Sequence, residues 1–136
     1  MKSTLLEIQQ RFDNDVERFS NLETGQISTV DATLSLELLT QIAASVCPNA
    51  KSVLDLGCGA GNFTLKLLDL IPDLDCTLVD LSLPMLDKAK ERIAKVSQGK
   101  ISTVQTDFFN LQLPAETFDI VVTGAAMHHL RTDEEW

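Results

Sequence analysis

The chain has 136 residues, a formal net charge of −9 and a hydrophobic fraction of 44%. That length suits one domain with a real core, and the charge argues against a large polyanionic partner, because phosphate binding needs clustered lysine and arginine. No apolar run approaches the roughly 20 residues of a membrane helix, and the charged N-terminus excludes a signal peptide, so we expect a cytoplasmic protein. Three scattered cysteines, Cys47, Cys58 and Cys76, predict reduced thiols and no metal site.

The first 49 residues predict two amphipathic helices joined by a loop. Thr4 and Glu7 match a capping box at the start of the first helix. Residues 20–30 break the pattern and are expected to form the loop, after which Asp31 can cap the second helix. Apolar residues spaced three or four apart mark the two helical faces: Leu5, Ile8, Phe12, Val16 and Phe19, then Leu34, Leu38, Leu39 and Ile42.

From residue 50 onward, short apolar strands alternate with helices. The strands are SVLDLG, CTLVD, ISTVQ and FDIVVTG, and the helices are NFTLKLLDLI and LSLPMLDKAKERIAKV, the latter capped by Ser82 with Pro84 in its first turn. This alternation predicts an α/β fold with a doubly wound parallel sheet and right-handed crossovers. Thr132 with Glu135 resembles a helix start just before the chain ends, so we expect a domain cut inside a structural element; a natural short tail is the alternative.

The segment VLDLGCGAGNF, residues 53–63, predicts a ligand-binding turn after the first strand. Glycine is needed where φ is positive or where a ligand approaches main chain closely, and open α/β sheets bind ligands at the carboxyl ends of their strands. The spacing GxGxG puts Asn62 where the dinucleotide fingerprint has its third glycine, and Asp55 would repel a pyrophosphate. A cationic, phosphate-free cofactor such as S-adenosylmethionine fits better, although the glycines alone also suit a plain tight turn.

Acidic residues follow the second and third strands. Asp80 lies 23 residues after Gly57, close to the spacing of a ribose-binding acid, although a helix-capping role is the alternative. Asp107 can accept from an adenine amino group with Phe108 packed beside the ring, or it closes a turn. Met85 either covers an adenine face or packs in the core.

His128 and His129 follow the fourth strand at the same rim of the sheet. Histidine titrates near neutrality and can act as a general base toward an acceptor hydroxyl. Structural or solvent-facing roles are the alternative.

At VLDLGCGAGNF, LVDLSLPML, VQTDFFN and FDIVVTGAAMHHL the sequence resembles the class I S-adenosylmethionine-dependent methyltransferases, from about residue 50 to 131. The resemblance implies a Rossmann-like sheet of order 3-2-1-4-5-7-6, of which strands five to seven have no counterpart here. It also implies that residues 1–49 form a helical cap over an S-adenosylmethionine-binding half at 50–136. Arg11, Phe12 and Phe19 of this cap either reach a ligand or, as the favoured alternative, serve packing. The backbone around Gly124 would face the methionine end of the cofactor.

The predicted function is methyl transfer from S-adenosylmethionine to an unidentified acceptor, with a small molecule favoured over nucleic acid. The alternatives are a cofactor-binding module without turnover and an NAD-type Rossmann oxidoreductase. Without further strands the apolar fourth strand would be an open edge, so we expect self-association through it. The predicted cofactor-binding residues are Asp55, Gly57, Cys58, Gly59, Gly61, Asp80, Leu81, Met85, Thr106, Asp107, Phe108 and Gly124, with His128 and His129 as catalytic candidates.

Overall fold

The structure is a computed structural model that describes residues 3–21, 32–134 and 136. The helices are α1 (Leu5–Asn14), α2 (Val16–Ser20), α3 (Ala32–Val46), α4 (Asn62–Leu68) and α5 (Leu83–Ala94). The strands are β1 (Ser52–Leu56), β2 (Asp75–Asp80), β3 (Ile101–Gln105) and β4 (Ile120–Thr123), and a short 3-10 helix spans Met127–His129.

The four strands form one parallel sheet of order β3-β2-β1-β4. Leu54 of β1 lies opposite Thr77 of β2 on one side and Val121 of β4 on the other. The predicted α/β fold, Rossmann-like sheet and strand order are therefore confirmed. Since all four strands are parallel, their carboxyl ends meet at one rim, where β1 leads into the glycine-rich turn and β2 ends at Asp80.

The core lies between the sheet and the helices α3, α4 and α5. Val53, Leu67, Leu78 and Ile93 are fully buried in it. The cap of α5 is the predicted one, since the Ser82 hydroxyl accepts from the backbone N–H of Met85 at 3.3 Å. Within the described ranges no helix is both long and apolar enough to cross a membrane.

The first predicted helix begins as expected but is interrupted. The Thr4 hydroxyl accepts from the Glu7 N–H at 3.2 Å, and the Glu7 carboxylate accepts from the Thr4 N–H at 2.7 Å, which confirms the capping box. Asp15 then separates α1 from α2. Of the predicted loop at 20–30, the described part is Ser20 and Asn21, and the predicted cap Asp31 lies outside the described residues.

The second predicted helix forms as α3 but does not bury its leucine-rich face. Leu34, Leu38, Leu39 and Ile42 are about half exposed, whereas Leu36 and Thr40 are buried. The small residues of α3 explain the difference. Ala43 and Ala44 are packed against the core, and a helix approaches its neighbour closely where its side chains are short.

The helix expected from Thr132 onward does not form among the described residues. Thr132 lies in a bend, Asp133 and Glu134 form a turn, and Glu135 is outside the described part of the chain. A first turn fixes several dihedral angles for one hydrogen bond, so it needs packing or further turns to persist.

Candidate cofactor and acceptor site

A cavity of about 770 Å³ opens at the rim where the strands end. Three groups of residues enclose it: the glycine-rich turn with Asp80, the segments that follow β3 and β4, and the N-terminal helices α1 to α3. All the predicted site residues line this cavity except Gly61. The sheet topology thus brings together residues that are up to 74 positions apart in the sequence, from Asp55 to His129.

Two glycines of the turn have different surroundings. Gly57 and Gly59 both have positive φ, at 70° and 50°. A Cβ on Gly57 would lie 2.3 Å from the Ala126 Cβ, so the segment after β4 packs directly on this glycine. A Cβ on Gly59 would meet nothing within 4 Å and would project into the open cavity. Gly59 is therefore the position at which a ligand can reach main chain.

Gly61 serves packing rather than the cavity. Its φ is 80°, and a Cβ there would lie 3.1 Å from the Ala89 Cβ and 3.3 Å from the Ile93 Cδ1. The absent side chain lets α5 pack closely against the start of α4. A direct cofactor contact at Gly61 has no support in this geometry.

Asp80 is held against the glycine-rich turn. Its Oδ2 accepts from the Gly59 N–H at 2.8 Å, and its Oδ1 accepts from the Ser82 N–H at 2.9 Å. Burial raises the pKa of Asp80, while these backbone donors act in the opposite direction. The turn and the end of β2 therefore lie side by side, as the sequence spacing predicted, and Asp80 keeps acceptor capacity on each oxygen for a ligand.

Asp55 lies beneath the turn and is 1% exposed. Its Oδ2 accepts from the Thr64 hydroxyl at 2.7 Å. Burial raises the pKa of Asp55 to about 6, and the charge of Asp80 adds to the increase. Burial likewise raises the pKa of the Cys58 thiol far above its usual range, which leaves that cysteine unreactive.

Asp107 closes a turn after β3. Its Oδ1 accepts from the Asn110 N–H at 2.9 Å and its Oδ2 from the Asn110 side-chain amide at 2.7 Å, and these bonds lower its pKa. The turn positions Phe108, whose ring lies 3.3 Å from where a Gly57 Cβ would be. Asp107 thus serves as the turn aspartate and also lines the cavity, and its contact with an adenine stays a prediction.

Leu81, Met85 and Thr106 complete the lining near Asp80. Met85 is only 1% exposed, so it belongs mainly to the core. The Thr106 N–H donates to the Asp80 carbonyl at 3.1 Å, which fixes the end of β3 beside the end of β2. Gly124 also lines the cavity and is exposed.

The two histidines stack within the 3-10 helix after β4. The ring centroids of His128 and His129 are 3.9 Å apart, and the Phe12 ring of α1 meets His129 edge-on at 5.5 Å. Burial lowers the pKa of His129, and the positive charges of His128 and Arg11 lower it further. The pKa of His129 therefore lies below that of a free imidazole, which favours the neutral ring, with one nitrogen that donates and one that accepts a hydrogen bond.

Sequence reasoning missed the contacts that attach the N-terminal helices to the glycine-rich turn. The Asn62 side-chain N–H donates to the Phe19 carbonyl at 3.0 Å, and its Oδ1 accepts from Arg92 at 2.8 Å. The Arg92 guanidinium also donates to the Ala60 carbonyl at 2.6 Å. These partners are 30 to 43 residues apart, and the only local signal was that Asn62 replaced a fingerprint glycine.

Possible metal ligands do not cluster in the part of the chain that the structure describes. No group of three or more histidine, cysteine, aspartate or glutamate side chains there could hold an ion.

Comparison with known proteins places the chain in a family. A family model described as a methyltransferase domain matches residues 53–136, which is more than half of the sequence. The chain therefore belongs to the methyltransferase domain family.

Curated relatives share a part of their length with this chain. A malonyl-[acyl-carrier protein] O-methyltransferase of Paenibacillus sp. is 26% identical over 125 residues, covering 90% of this chain and 45% of that protein. A methyltransferase of Mycobacterium bovis is 37% identical over 87 residues, covering 64% of this chain and 42% of that protein. The chain thus spans less than half the length of these relatives.

Solved structures show the same fold. Magnesium protoporphyrin IX methyltransferase from Synechocystis with bound S-adenosylmethionine superposes with a TM-score of 0.74 at 18% identity, covering 99% of this chain and 68% of that one. The N-methyltransferase NodS from Bradyrhizobium japonicum, in complex with S-adenosyl-L-homocysteine, gives 0.67 at 21% identity and coverages of 91% and 61%.

Proposed function

We propose that the protein is an S-adenosylmethionine-dependent methyltransferase that binds its cofactor in the cavity at the strand rim. The observation that carries this proposal is the hydrogen bond from the Gly59 N–H to Asp80, at a glycine whose missing side chain leaves the cavity open. An acid and an uncovered backbone at the ends of adjacent parallel strands suit an adenosyl ligand. Membership of the methyltransferase domain family supports the choice of cofactor.

The residues present fit that cofactor. Asp80 has lone pairs left for vicinal ribose hydroxyls, while Asp107 and Phe108 border the place proposed for the adenine. Gly57, Cys58 and Gly124 offer backbone near the methionine part, and Asp55 is a buried negative charge that favours a cation nearby. Leu81, Met85 and Thr106 shape the wall, and Gly61 acts through helix packing.

When bound, the cofactor supplies an electrophilic methyl group on a sulfonium, so the protein needs no covalent nucleophile. The chain's own residues orient the cofactor and exclude water from the reacting atoms. Neutral His129, with His128 beside it, could accept a proton from an acceptor hydroxyl. That catalytic role stays a prediction, as does the division into a cap at 1–49 and a cofactor-binding half at 50–136.

A small molecule is the proposed acceptor. The net charge of −9 disfavours nucleic acid, and the cavity is closed in by apolar side chains of the N-terminal helices. Two of the similar proteins are named for malonyl-[acyl-carrier protein] and for magnesium protoporphyrin IX. We also propose that the chain associates with itself through β4, and the cytoplasm stays the expected compartment.

Calorimetric titration with S-adenosylmethionine tests the cofactor, with NAD as the competing ligand. Asp80→Asn should weaken S-adenosylmethionine binding at least tenfold, about 1.4 kcal/mol, because an amide cannot accept from both backbone donors and the ribose as a carboxylate does. Asp87→Asn, an exposed acid on α5, is the matched control and should bind as the wild type does. Preferential binding of NAD would contradict the proposal, and binding without methyl release would favour a cofactor-binding module.

A further inference from the structure

Basic side chains line one part of the cavity, although the chain as a whole carries a net charge of −9. Arg11 of α1, His128, His129 and Arg131 all line it. The His129 ring contacts Phe12, the neighbour of Arg11, and stacks on His128. Residues from two distant parts of the sequence therefore build a local positive region inside an acidic protein.

Arg11 forms no ion pair with a carboxylate of the described residues. The ion pairs of Arg18, Lys88 and Lys95 do not involve it. Every cause that shifts the pKa of His129 lowers it, whereas a carboxylate within about 4 to 6 Å would raise it. Glu134 also lines the cavity but forms no ion pair with Arg11. The region is thus electrostatically suited to an anion supplied by a ligand.

An apolar wall borders the positive region. Phe12 belongs to both, since it contacts His129 and lines the cavity with the other apolar residues of the N-terminal helices. That wall consists of Leu5, Ile8, Phe12, Phe19, Leu36 and Leu39. A ligand that fills this end of the cavity therefore needs an apolar body and an anionic group.

We propose that Arg11, with His128 and His129, binds a carboxylate of the methyl acceptor, whose apolar body lies against the wall of the N-terminal helices. This inference rests on the proposed function, because it assigns the acceptor to the same cavity. A guanidinium presents two parallel N–H groups that match a carboxylate, and an imidazole N–H can supply a third donor. A carboxylate fits better than a phosphate, since a group of charge near −2 would be repelled more strongly by Asp55 and Asp80.

S-Adenosylmethionine itself carries a carboxylate, so the same positive region has two possible sources of anion. We assign it to the acceptor because Arg11 lies on α1, the helix that also contributes Leu5, Ile8 and Phe12 to the apolar wall. The proposed adenosyl contacts, Gly59 and Asp80, belong to the sheet rim instead. Comparing ligands with and without the amino-acid part of the cofactor distinguishes these two sources of the carboxylate.

The first experiment titrates three eight-carbon probes into protein loaded with S-adenosylhomocysteine. Octanoate, octanol and octylamine share an apolar body and differ in charge, and we expect octanoate to bind at least tenfold more tightly than the other two. Arg11→Gln should remove that preference and Arg11→Lys should retain part of it. Lys95→Gln removes an equal charge from the exposed end of α5 and should change nothing. Equal binding of the three probes would overturn the proposal.

The second experiment compares S-adenosylhomocysteine with 5′-methylthioadenosine, which lacks the amino-acid part. If Arg11 serves the acceptor, Arg11→Gln leaves both affinities within about twofold of the wild-type values. Selective loss of S-adenosylhomocysteine binding would assign Arg11 to the cofactor and overturn the proposal. If the wild type binds neither nucleoside, the proposed function fails, and octanoate titrated into the unloaded protein still tests the carboxylate site by itself.

Discussion

Gly57 and Gly59 stand two residues apart and should respond differently to the same substitution. Gly57→Ala places a methyl group 2.3 Å from the Ala126 Cβ at a φ of 70°, so we expect a loss of about 2 to 5 kcal/mol in the free energy of unfolding. Gly59→Ala meets no protein atom and should cost about 1 to 2 kcal/mol from backbone strain alone. Urea unfolding measures both values.

The affinity for S-adenosylmethionine should order these two variants in the opposite way to their stability, with the larger loss of affinity in Gly59→Ala. The alanine methyl at residue 59 would project into the cavity, so we expect Gly59→Ala to lose at least tenfold in S-adenosylmethionine affinity. Equal stability losses with unchanged affinity in both variants would show that the turn is arranged differently from this structure.

Asp55 should make stability depend on pH. Its pKa is raised to about 6 in the folded protein, from a usual value of 3.8. The folded state therefore holds the proton at pH values where the unfolded state has lost it, so this contribution to stability falls as pH rises from about 4 to about 6 and is level above that. Asp55→Asn removes the titrating group, so in urea unfolding it should gain stability relative to the wild type as pH rises from about 4 to about 6, and the difference should be level above that. A constant difference between the two proteins would count against the buried carboxylate.

At the scale of elements, helices and strands could be predicted where the sequence has a regular apolar spacing or a capping residue. The four strands, the Thr4 capping box and the Ser82 cap depend on neighbours within a few residues, so local spacing revealed them. Strand order and the meeting of Asp80 with the glycine-rich turn followed from the rules of parallel sheets. The break at Asp15 had no such local signal.

Helix α3 shows where hydrophobic periodicity misleads. Its largest side chains formed the most regular pattern, yet the buried positions are Leu36 and Thr40. Thr40 satisfies its hydroxyl by donating to the Leu36 carbonyl at 2.9 Å, which makes a polar residue tolerable in the core. Sequence alone could not reveal this, because the burial of α3 depends on the shape of α4 beneath it.

The attachment of the N-terminal helices should depend on Asn62. Asn62→Ala removes the hydrogen bonds to Phe19 and Arg92, so we expect a loss of about 1 to 3 kcal/mol. Amide hydrogen exchange should accelerate over residues 5–20 more than in the sheet. Asn49→Ala, in an exposed turn, is the matched control. Uniform acceleration across the whole domain would instead mean that Asn62 supports global stability.

At the scale of the whole molecule, the sheet ends in an edge strand among the described residues. β4 pairs with β1 alone, and its Val121 side chain is 57% exposed. An exposed apolar edge strand is a template for pairing with another chain. Val121→Lys should therefore shift sedimentation velocity profiles toward the monomer, whereas Val96→Lys, at an equally exposed valine after α5, should not. A wild-type protein that stays monomeric at all concentrations would contradict the proposed self-association.

Arg92 carries a consequence for how variants of this protein would be interpreted. One guanidinium holds both the carbonyl of Ala60, within the glycine-rich turn, and the side chain of Asn62, which in turn holds α2. Arg92 does not line the cavity. A genetic screen for loss of catalysis would nevertheless recover Arg92 together with the ligand-contacting positions. Only affinity measurements on well-folded protein would reveal that Arg92 acts through the glycine-rich turn and Asn62 and not through the ligand.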